Sequence, residues 1–460
     1  MHSRIYGTEI EYGVFSWELV PQYVELSDFL EGIREVIGRL PATRNGSRIY
    51  MDHGRHPEYC TPECLTPLEI VLHEKAGEKI LEGLFADGIQ FGDTRGSVWL
   101  YRTTDDKRGT THGYHENYLM ERAEKDDQNI WVQRRERDHI TRCLIPFLVT
   151  RVIYAGSGNV ADDRFEISGR AKYIDKESYV YTQRNRPIVH LKDEPLCERS
   201  QYRRLHVIVG EPNLSEYATF LKIGTTSLVL DLVEDGLTSD LSIENPVEAL
   251  HRLSRSTGDW HLTLEDGSTI SAIDVQRVYL KLAYKHFDQG CDKDSPDLCE
   301  MNRLILTTWE RTLDALERDP TVLAEEVDWV TEKKLLEGYA KRDNLSWGHP
   351  NIAKADLRFH EIGERSLFAL LQRKGHVKRL LTDEEIEAAV VTPPNTRAKG
   401  RALFVERLAE RGVKLVSEVE MWNRLGEGLE EITKQPPLKI PDPFQTYEEE
   451  VEEYLADVFS

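Results

Sequence analysis

Hydrophobic and polar positions first alternate from Arg4 to Val14, with Ile5, Gly7, Glu9, Glu11 and Gly13 on one parity and Tyr6, Thr8, Ile10, Tyr12 and Val14 on the other. A period of two predicts a strand, and it gathers both glutamates on the face opposite the apolar one. The period then lengthens. Phe29, Leu30, Ile33, Val36, Ile37 and Leu40 form a helical stripe behind Ser27, a residue suited to cap it. Asn45-Gly46 turns the chain into a short strand predicted over Arg48 to Asp52, a loop runs through Thr66, and Pro67 opens a helix to about Phe85. A strand is expected near Ser97 to Arg102, and the polar stretch from Thr103 to Gly113 leads into His115-Glu116-Asn117-Tyr118.

Further on, Tyr202 to Gly210 reads as a strand, and Thr225 to Val233 is also rich in Val and Leu. From Ser271 the pattern turns helical, over Val275 to Phe287, Met301 to Leu316, Val322 to Tyr339 and Asp383 to Val391. Pro393-Pro394, then Pro436-Pro437 with Pro441 and Pro443, punctuate the C-terminal end. An acidic segment from Thr446 carries Val451, Tyr454, Leu455 and Val458 at helical spacing and is expected to dock as a terminal helix. The chain reads as α+β, with a boundary at the first proline pair: a large domain over 1–392 and a small C-terminal domain over 393–460.

Composition narrows the class. A length of 460 residues exceeds the roughly 250–300 at which single cores stop growing, so about two domains are expected. No apolar run approaches the ~18 residues of a membrane span, so no membrane partner is expected. Lys and Arg number 59 against 81 Asp and Glu, a net charge of −22, opposite to a protein built for a phosphate backbone; nucleic acid is not expected as a partner. Six cysteines, at 60, 64, 143, 197, 291 and 299, form no CxxC pair, and reduced thiols are expected. The opening Met-His-Ser-Arg-Ile-Tyr-Gly-Thr-Glu is no charged-then-apolar leader, and a cytoplasmic location is the expectation. Gly156-Ser157-Gly158-Asn159 completes neither a P-loop nor a dinucleotide fingerprint. His73-Glu74, His115-Glu116 and His360-Glu361 each lack the second histidine of HExxH, and no GxSxG occurs.

Three clusters carry candidate chemistry. Glu9 and Glu11 share a strand face, an arrangement suited to Mg²⁺ positioning ATP or, more blandly, to a solvent-facing edge. Arg48, Tyr50 and Asp52 share the face of the next strand, followed by His53, Arg55, His56, Glu58 and Thr61 in a loop stiffened by Pro57 and Pro62. That density of ligands and donors predicts an active-site loop. On the later strand, beside Arg203, alternation puts Arg204 and His206 opposite Leu205, Val207 and Val209, fit either for a phosphate or carboxylate or for a structural salt bridge. Cys60 and Cys64 are expected to pack rather than react.

Taken in order, these phrases resemble the Pup ligase and depupylase family, carboxylate–amine ligase relatives of glutamine synthetase. They are GTEIEYGV from Gly7, NGSRIYMD from Asn45, HPEYCTPEC from His56, GYHENYLM from Gly113, FLVTR from Phe147, YRRLHVIVGEPNLSE from Tyr202, LKIGTTSLVLDLVEDG from Leu221, HPNIAKADL from His349, LLQRKG from Leu370 and TPPNTRA from Thr392. The resemblance implies a glutamine-synthetase-like antiparallel sheet cradle packed by helices, holding ATP and Mg²⁺, plus the small C-terminal domain. It implies Glu9, Tyr50 and Glu58 as Mg²⁺ ligands, with Glu11 fitting the same cradle, and Asp52 as the catalytic aspartate. Arg48 and Thr61 match nucleotide contacts, Trp422 is the candidate for a tryptophan on the nucleotide, and Arg203, Arg204 and His206 complete the set, Arg204 with a catalytic role. The partners implied are a small disordered ubiquitin-like tag and lysine-bearing proteins.

Departures from the family pattern stand at Thr103-Thr104, Ser168-Gly169-Arg170 and His190 to Leu196. Depupylases carry a long insertion where this chain has only Phe15 to Thr43, which favours ATP-dependent ligation of the tag's C-terminal glutamate to lysine. LKIGTTSLVLDLVEDG looks closer to depupylases, so a depupylase or deamidase, and a relative using another carboxylate, remain alternatives.

Overall fold

The computed structural model describes residues 3–15, 26–38, 43–91, 94–122, 130–180, 185–237, 239–290, 296–413, 422–426 and 435–459. Two compact units emerge. A strand unit comprises Ile5–Tyr101, Glu194–Tyr202 and Leu381–Ser460, and a helical unit comprises Met1–Arg4, Arg102–Asp193 and Arg203–Leu380.

In the strand unit, β1 (Tyr6–Glu11), β2 (Arg48–Met51) and β3 (Pro57–Cys60) pair antiparallel in the order β1-β3-β2. Along β1, Tyr6, Thr8 and Ile10 are buried while Gly7, Glu9 and Glu11 are half-exposed, as the alternation predicts. The expected Arg4 to Val14 strand breaks at Tyr12, beyond which Gly13–Phe15 changes partner and pairs with Trp99–Tyr101. The first helix spans Leu26–Ile37, so Ser27 lies inside it rather than capping it, and Leu40 falls outside the described residues. The next helix is Pro67–Phe85, as expected, with the Thr66 hydroxyl accepting from Glu69 N at 3.1 Å.

The C-terminal segment builds its own core, where Val451 and Leu455 of the terminal helix Glu448–Val458 pack with Phe404, Leu408, Leu425 and Ile440. It is tied to the first strands by buried charge. Glu63 takes Arg397 Nε on Oε1 at 2.7 Å, and Arg401 on both oxygens. Arg401 also donates to the Gly46 carbonyl at 3.0 Å, and Gly46, at φ +79°, has no room for a side chain because a Cβ would come 2.6 Å from the Ala398 carbonyl oxygen. Burial opposes ionisation of Glu63, but the two guanidinium groups overcome it and hold the carboxyl at about 2. Glu63→Gln strands two buried cations and is expected to cost about 3–5 kcal/mol in denaturant unfolding. Because the folded value lies below the unfolded one, the carboxylate's contribution is present above pH ~4.5 and is lost on acidifying from there toward 2.

The helical unit carries β4 (Tyr114–Glu121), β5 (Lys176–Tyr179), β6 (Pro187–His190) and β7 (Tyr202–Val207, whose first residue belongs to the strand unit), ordered β5-β6-β7-β4. The β5-β6 pair is parallel, so the sheet is mixed rather than wholly antiparallel. Nothing announced β5, because its side chains are largely exposed and show no alternation. Thr225 to Val233 belongs to the helix Glu216–Glu234, which is buried on nearly every side; that is why its sequence shows no amphipathic stripe. Helices Ala272–Gly290 and Pro296–Arg318 pack on it. The helix expected over Val322 to Tyr339 is instead a 3₁₀ turn, Pro320–Leu323, followed by the helix Asp328–Asp343. Among the described residues no helix is long and apolar enough to cross a membrane. Cys60, Cys64, Cys143 and Cys197 are thiols, whereas Cys299 is disulfide-bonded; the expectation that every cysteine is reduced is corrected there, since density and spacing say nothing about one isolated bridge.

Candidate active site

Strand register assembles the predicted groups of the strand unit into two rows. Glu11, Glu58 and Tyr50 stand side by side on β1, β3 and β2, and Glu9, Cys60 and Arg48 form the adjacent row. Directly opposed residues have Cβ atoms about 4.5–5.5 Å apart, so three carboxylates, a phenol and a guanidinium crowd one face. Glu58 is only 5% exposed, and burial, followed by the charges of Glu9, Glu11 and Asp52, pushes its carboxyl well up. The Tyr50 hydroxyl lies 3.5 Å from Cys60 Sγ and is likewise pushed up, by burial and then by Cys60, Glu58 and Glu9. Cys60 itself is buried and its thiol is raised by that burial, in keeping with packing.

Asp52 follows β2 at a tight turn, one residue past the strand's end, with Arg55 N on the Asp52 carbonyl at 3.1 Å and Arg55 at φ +66°. The turn folds His56 back. Its backbone N–H donates to Asp52 Oδ1 at 2.5 Å, and its Nδ1 lies 3.4 Å from Glu11 Oε2 and 3.6 Å from Asp52 Oδ2. Burial disfavours a charged imidazole, but the hydrogen bonds of Asp52 and Glu11 prevail and lift it to about 9, so His56 is cationic at neutral pH.

Thr61 pins the start of the cradle, its hydroxyl accepting from Thr8 N at 2.9 Å. Trp422 arrives from the C-terminal segment with its ring centroid 5.6 Å from the Arg48 guanidinium carbon and 4.7 Å from that of Arg401. Glu9, Glu11, Arg48, Tyr50, Asp52, Glu58, Thr61 and Trp422 thus all fall within one unit.

Arg203, Arg204 and His206 belong to the helical unit. Arg204 Nη1 donates to Asn117 Oδ1 at 3.1 Å, and His206 Nδ1 lies 3.0 Å from the same oxygen. Arg203 sits on the alternate face with its Nη2 3.8 Å from Asp193, the structural pairing weighed for this cluster. A cavity beside Arg203 and Arg204 is also lined by Arg137 and His190. Alternation divides the His-Glu-Asn phrase as well. Asn117 turns to Arg204, while Glu116, fully buried, takes Arg151 on both oxygens at 2.7 and 2.8 Å.

A family model described as Pup-ligase protein matches residues 40–425. The chain belongs to the Pup-ligase family. A Pup–protein ligase of a Nocardioides species is 40% identical, covering 89% of this chain and 91% of that protein, and one of Actinosynnema mirum is 38% identical with full coverage of both. Among solved structures, the complex of prokaryotic ubiquitin-like protein Pup with its ligase PafA superposes with a TM-score of 0.85 at 30% identity, covering 99% of this chain and 92% of that one. The Pup ligase PafA in complex with ADP superposes with a TM-score of 0.77 at 32% identity, covering 93% and 92%.

Three features of this Pup-ligase chain escaped the sequence reading. His56 received no role, although its four-residue spacing from Asp52 brings the two together across the turn. Asn117 stood out only as part of His115-Glu116-Asn117, a tripeptide of weak specificity, and carried no role of its own. Glu63, Arg397 and Arg401 gave no signal, because an ion cluster drawn from both ends of a chain has no local period.

Proposed function

We propose that this chain joins Pup, through the side-chain carboxylate of a C-terminal glutamate, to lysines of protein substrates at the expense of ATP. The observation that carries the reading is the pair of rows Glu11-Glu58-Tyr50 and Glu9-Cys60-Arg48, flanked by Asp52 and Trp422. A glutamate side chain does not acylate an amine in water, so its carboxylate must first be converted to an acyl phosphate. The donor set fits Mg²⁺: oxygen ligands from Glu9, Glu11, Glu58 and Tyr50, with a buried Glu58 whose carboxyl the neighbouring acids disfavour as an anion. Bound there, Mg²⁺ would supply charge neutralisation for the transferring phosphoryl group. Arg48 and Trp422 offer a cation and a ring face to the nucleotide, and Thr61, just past β3, is held to β1 through the Thr8 N–H. Asp52 accepts the proton of the attacking lysine, with His56 fixing its carboxylate through the backbone N–H. In the helical unit Arg204 and His206, held by Asn117, are the groups for an anionic portion of the substrates, and Arg203 stands paired with Asp193.

We also take 393–460 as a small C-terminal domain, a reading its separate core supports. The cytoplasm is the proposed setting, with Cys60, Cys64, Cys143 and Cys197 present as thiols and Cys299 in a disulfide. The test uses ATP, Mg²⁺, a lysine-bearing protein and Pup ending in glutamate. Conjugate should form with about one ADP released per bond. In parallel, preformed conjugate and Gln-ended Pup are offered; release of target or deamidation without any conjugation would reverse the direction to depupylase. ATP consumption with none of these products would point to another carboxylate substrate.

A further inference from the structure

A cluster that the proposed reaction leaves unused lies inside the helical unit. Asp356 and His360 stand four residues apart at the end of the helix Pro350–Phe359, so they share one face. Glu332 meets them from the neighbouring helix Asp328–Asp343. One ligand atom from each of the three lies within 4.8 Å of the others. His360 Nε2 is 3.6 Å from Glu332 Oε2 and 4.0 Å from Asp356 Oδ1. None reaches water, their exposures being 0% for Glu332, 1% for Asp356 and 2% for His360. The backbone closes the site at Gly158, φ +90°, where a Cβ would come 2.0 Å from Glu332 Oε2. Gly158 and His360 belong to the two phrases, Gly156 to Asn159 and His360-Glu361, that completed no motif.

Charge and hydrogen bonding are unbalanced here. Asp356 is provided for: Lys107 Nζ lies 3.0 Å from its Oδ2, and Val160 N donates to its Oδ1 at 3.3 Å. Glu332 and His360 are less well provided for: neither carboxylate oxygen and neither ring nitrogen makes a well-aligned hydrogen bond, Glu332 facing another acid, Asp356, and His360 the backbone of Arg102. Lys107 also reaches Asp105, at 3.8 Å, so one ammonium is shared among several acids. A buried carboxylate without a partner is costly, and it is met by a proton or by a cation.

We propose that Glu332 Oε2, Asp356 Oδ1 and His360 Nε2 form a buried site for one borderline divalent cation of the Zn²⁺ class, which ties the two helices together. An imidazole among two carboxylates selects for such an ion over Mg²⁺, which prefers oxygen and retains several waters that this interior does not admit. Zinc bonds of ~2.0–2.2 Å place neighbouring ligand atoms about 3.3–3.6 Å apart, somewhat closer than the 3.6 and 4.0 Å that separate His360 Nε2 from the two carboxylate oxygens, so the side chains draw together around the ion. The cluster is separate from the Glu9, Glu11 and Glu58 face, which belongs to the other unit.

The competing arrangement is a proton held on Glu332 beside Asp356, and the experiment separates the two. Full-length protein is stripped with a chelator, offered Zn²⁺ or Co²⁺, and dialysed in excess Mg²⁺ to occupy hard-cation sites. Elemental analysis should find about one zinc per chain, and the Co²⁺ form should show visible ligand-field bands. His360→Gln and the isosteric Glu332→Gln should each lose the ion, whereas Glu9→Ala keeps it. Wild-type protein holding no zinc above background overturns the proposal regardless of how the variants fold, and so does equal retention by wild type and both variants.

Discussion

Asp52→Asn should still bind ATP and Pup yet form isopeptide about 10²–10⁴-fold more slowly, the range that a positioned general base contributes. A lysine with a pKa near ~10.4 is almost wholly protonated at pH 7, a handicap of about 4–5 kcal/mol that the base must relieve. The substitution keeps the turn's backbone hydrogen bond but removes the charge that Asp52 Oδ2 holds 3.6 Å from His56 Nδ1. Asp52 Oδ1 accepts the His56 backbone N–H at 2.5 Å, and an asparagine carbonyl oxygen takes the same bond in the same turn. What the amide loses is the capacity to take a proton. Binding should therefore be followed by calorimetry and conjugation by gel in the same preparation. Conjugation at the wild-type rate would remove Asp52 from the mechanism, and loss of binding together with rate would make it a structural residue of the turn.

How far the site was legible follows from how local its determinants are. Period-two alternation put Glu9 with Glu11 and Arg48 with Tyr50, because a strand's faces are fixed by the backbone alone. Alternation cannot say which strands are neighbours, so the interleaving of β3 between β1 and β2, which sets Glu58 between Glu11 and Tyr50, came only with the fold. The start of the helix Pro67–Phe85 was legible, since a first-turn proline writes it into the sequence; that Thr66 caps it came only with the fold. Ser27 shows the limit of that code, for a residue suited to cap lies within the Leu26–Ile37 helix. Trp422 was reached through the family resemblance rather than any pattern. Its place beside Arg48 depends on Arg401, whose Nη1 donates to the Trp422 carbonyl at 3.0 Å and whose charge is balanced by Glu63.

Glu58→Gln should abolish Mg²⁺-dependent ATP turnover while leaving the metal-free protein as stable as wild type or more so, a combination that a residue serving only the fold would not give. The like charges of Glu9, Glu11 and Asp52 and the burial of Glu58 all oppose its ionisation. Removing the carboxylate takes away that repulsion and keeps the side-chain volume. The sign with pH follows. A folded-state pKa raised above the unfolded ~4.5 contributes stability at low pH that is lost as pH rises through the raised value. Metal-free wild type should therefore lose stability relative to Glu58→Gln on moving from pH 4 toward neutrality. With Mg²⁺ and ATP present the order reverses in function: a metal clamp supplies several kcal/mol to the transferring phosphoryl group, and losing about 4 kcal/mol lowers turnover roughly 10³-fold. Melting curves over pH and ADP release, taken on both proteins, check the two halves separately. Near-normal turnover in the variant would take Glu58 out of the cation site, and a variant melting below wild type at every pH would show that its carboxylate supports the fold instead.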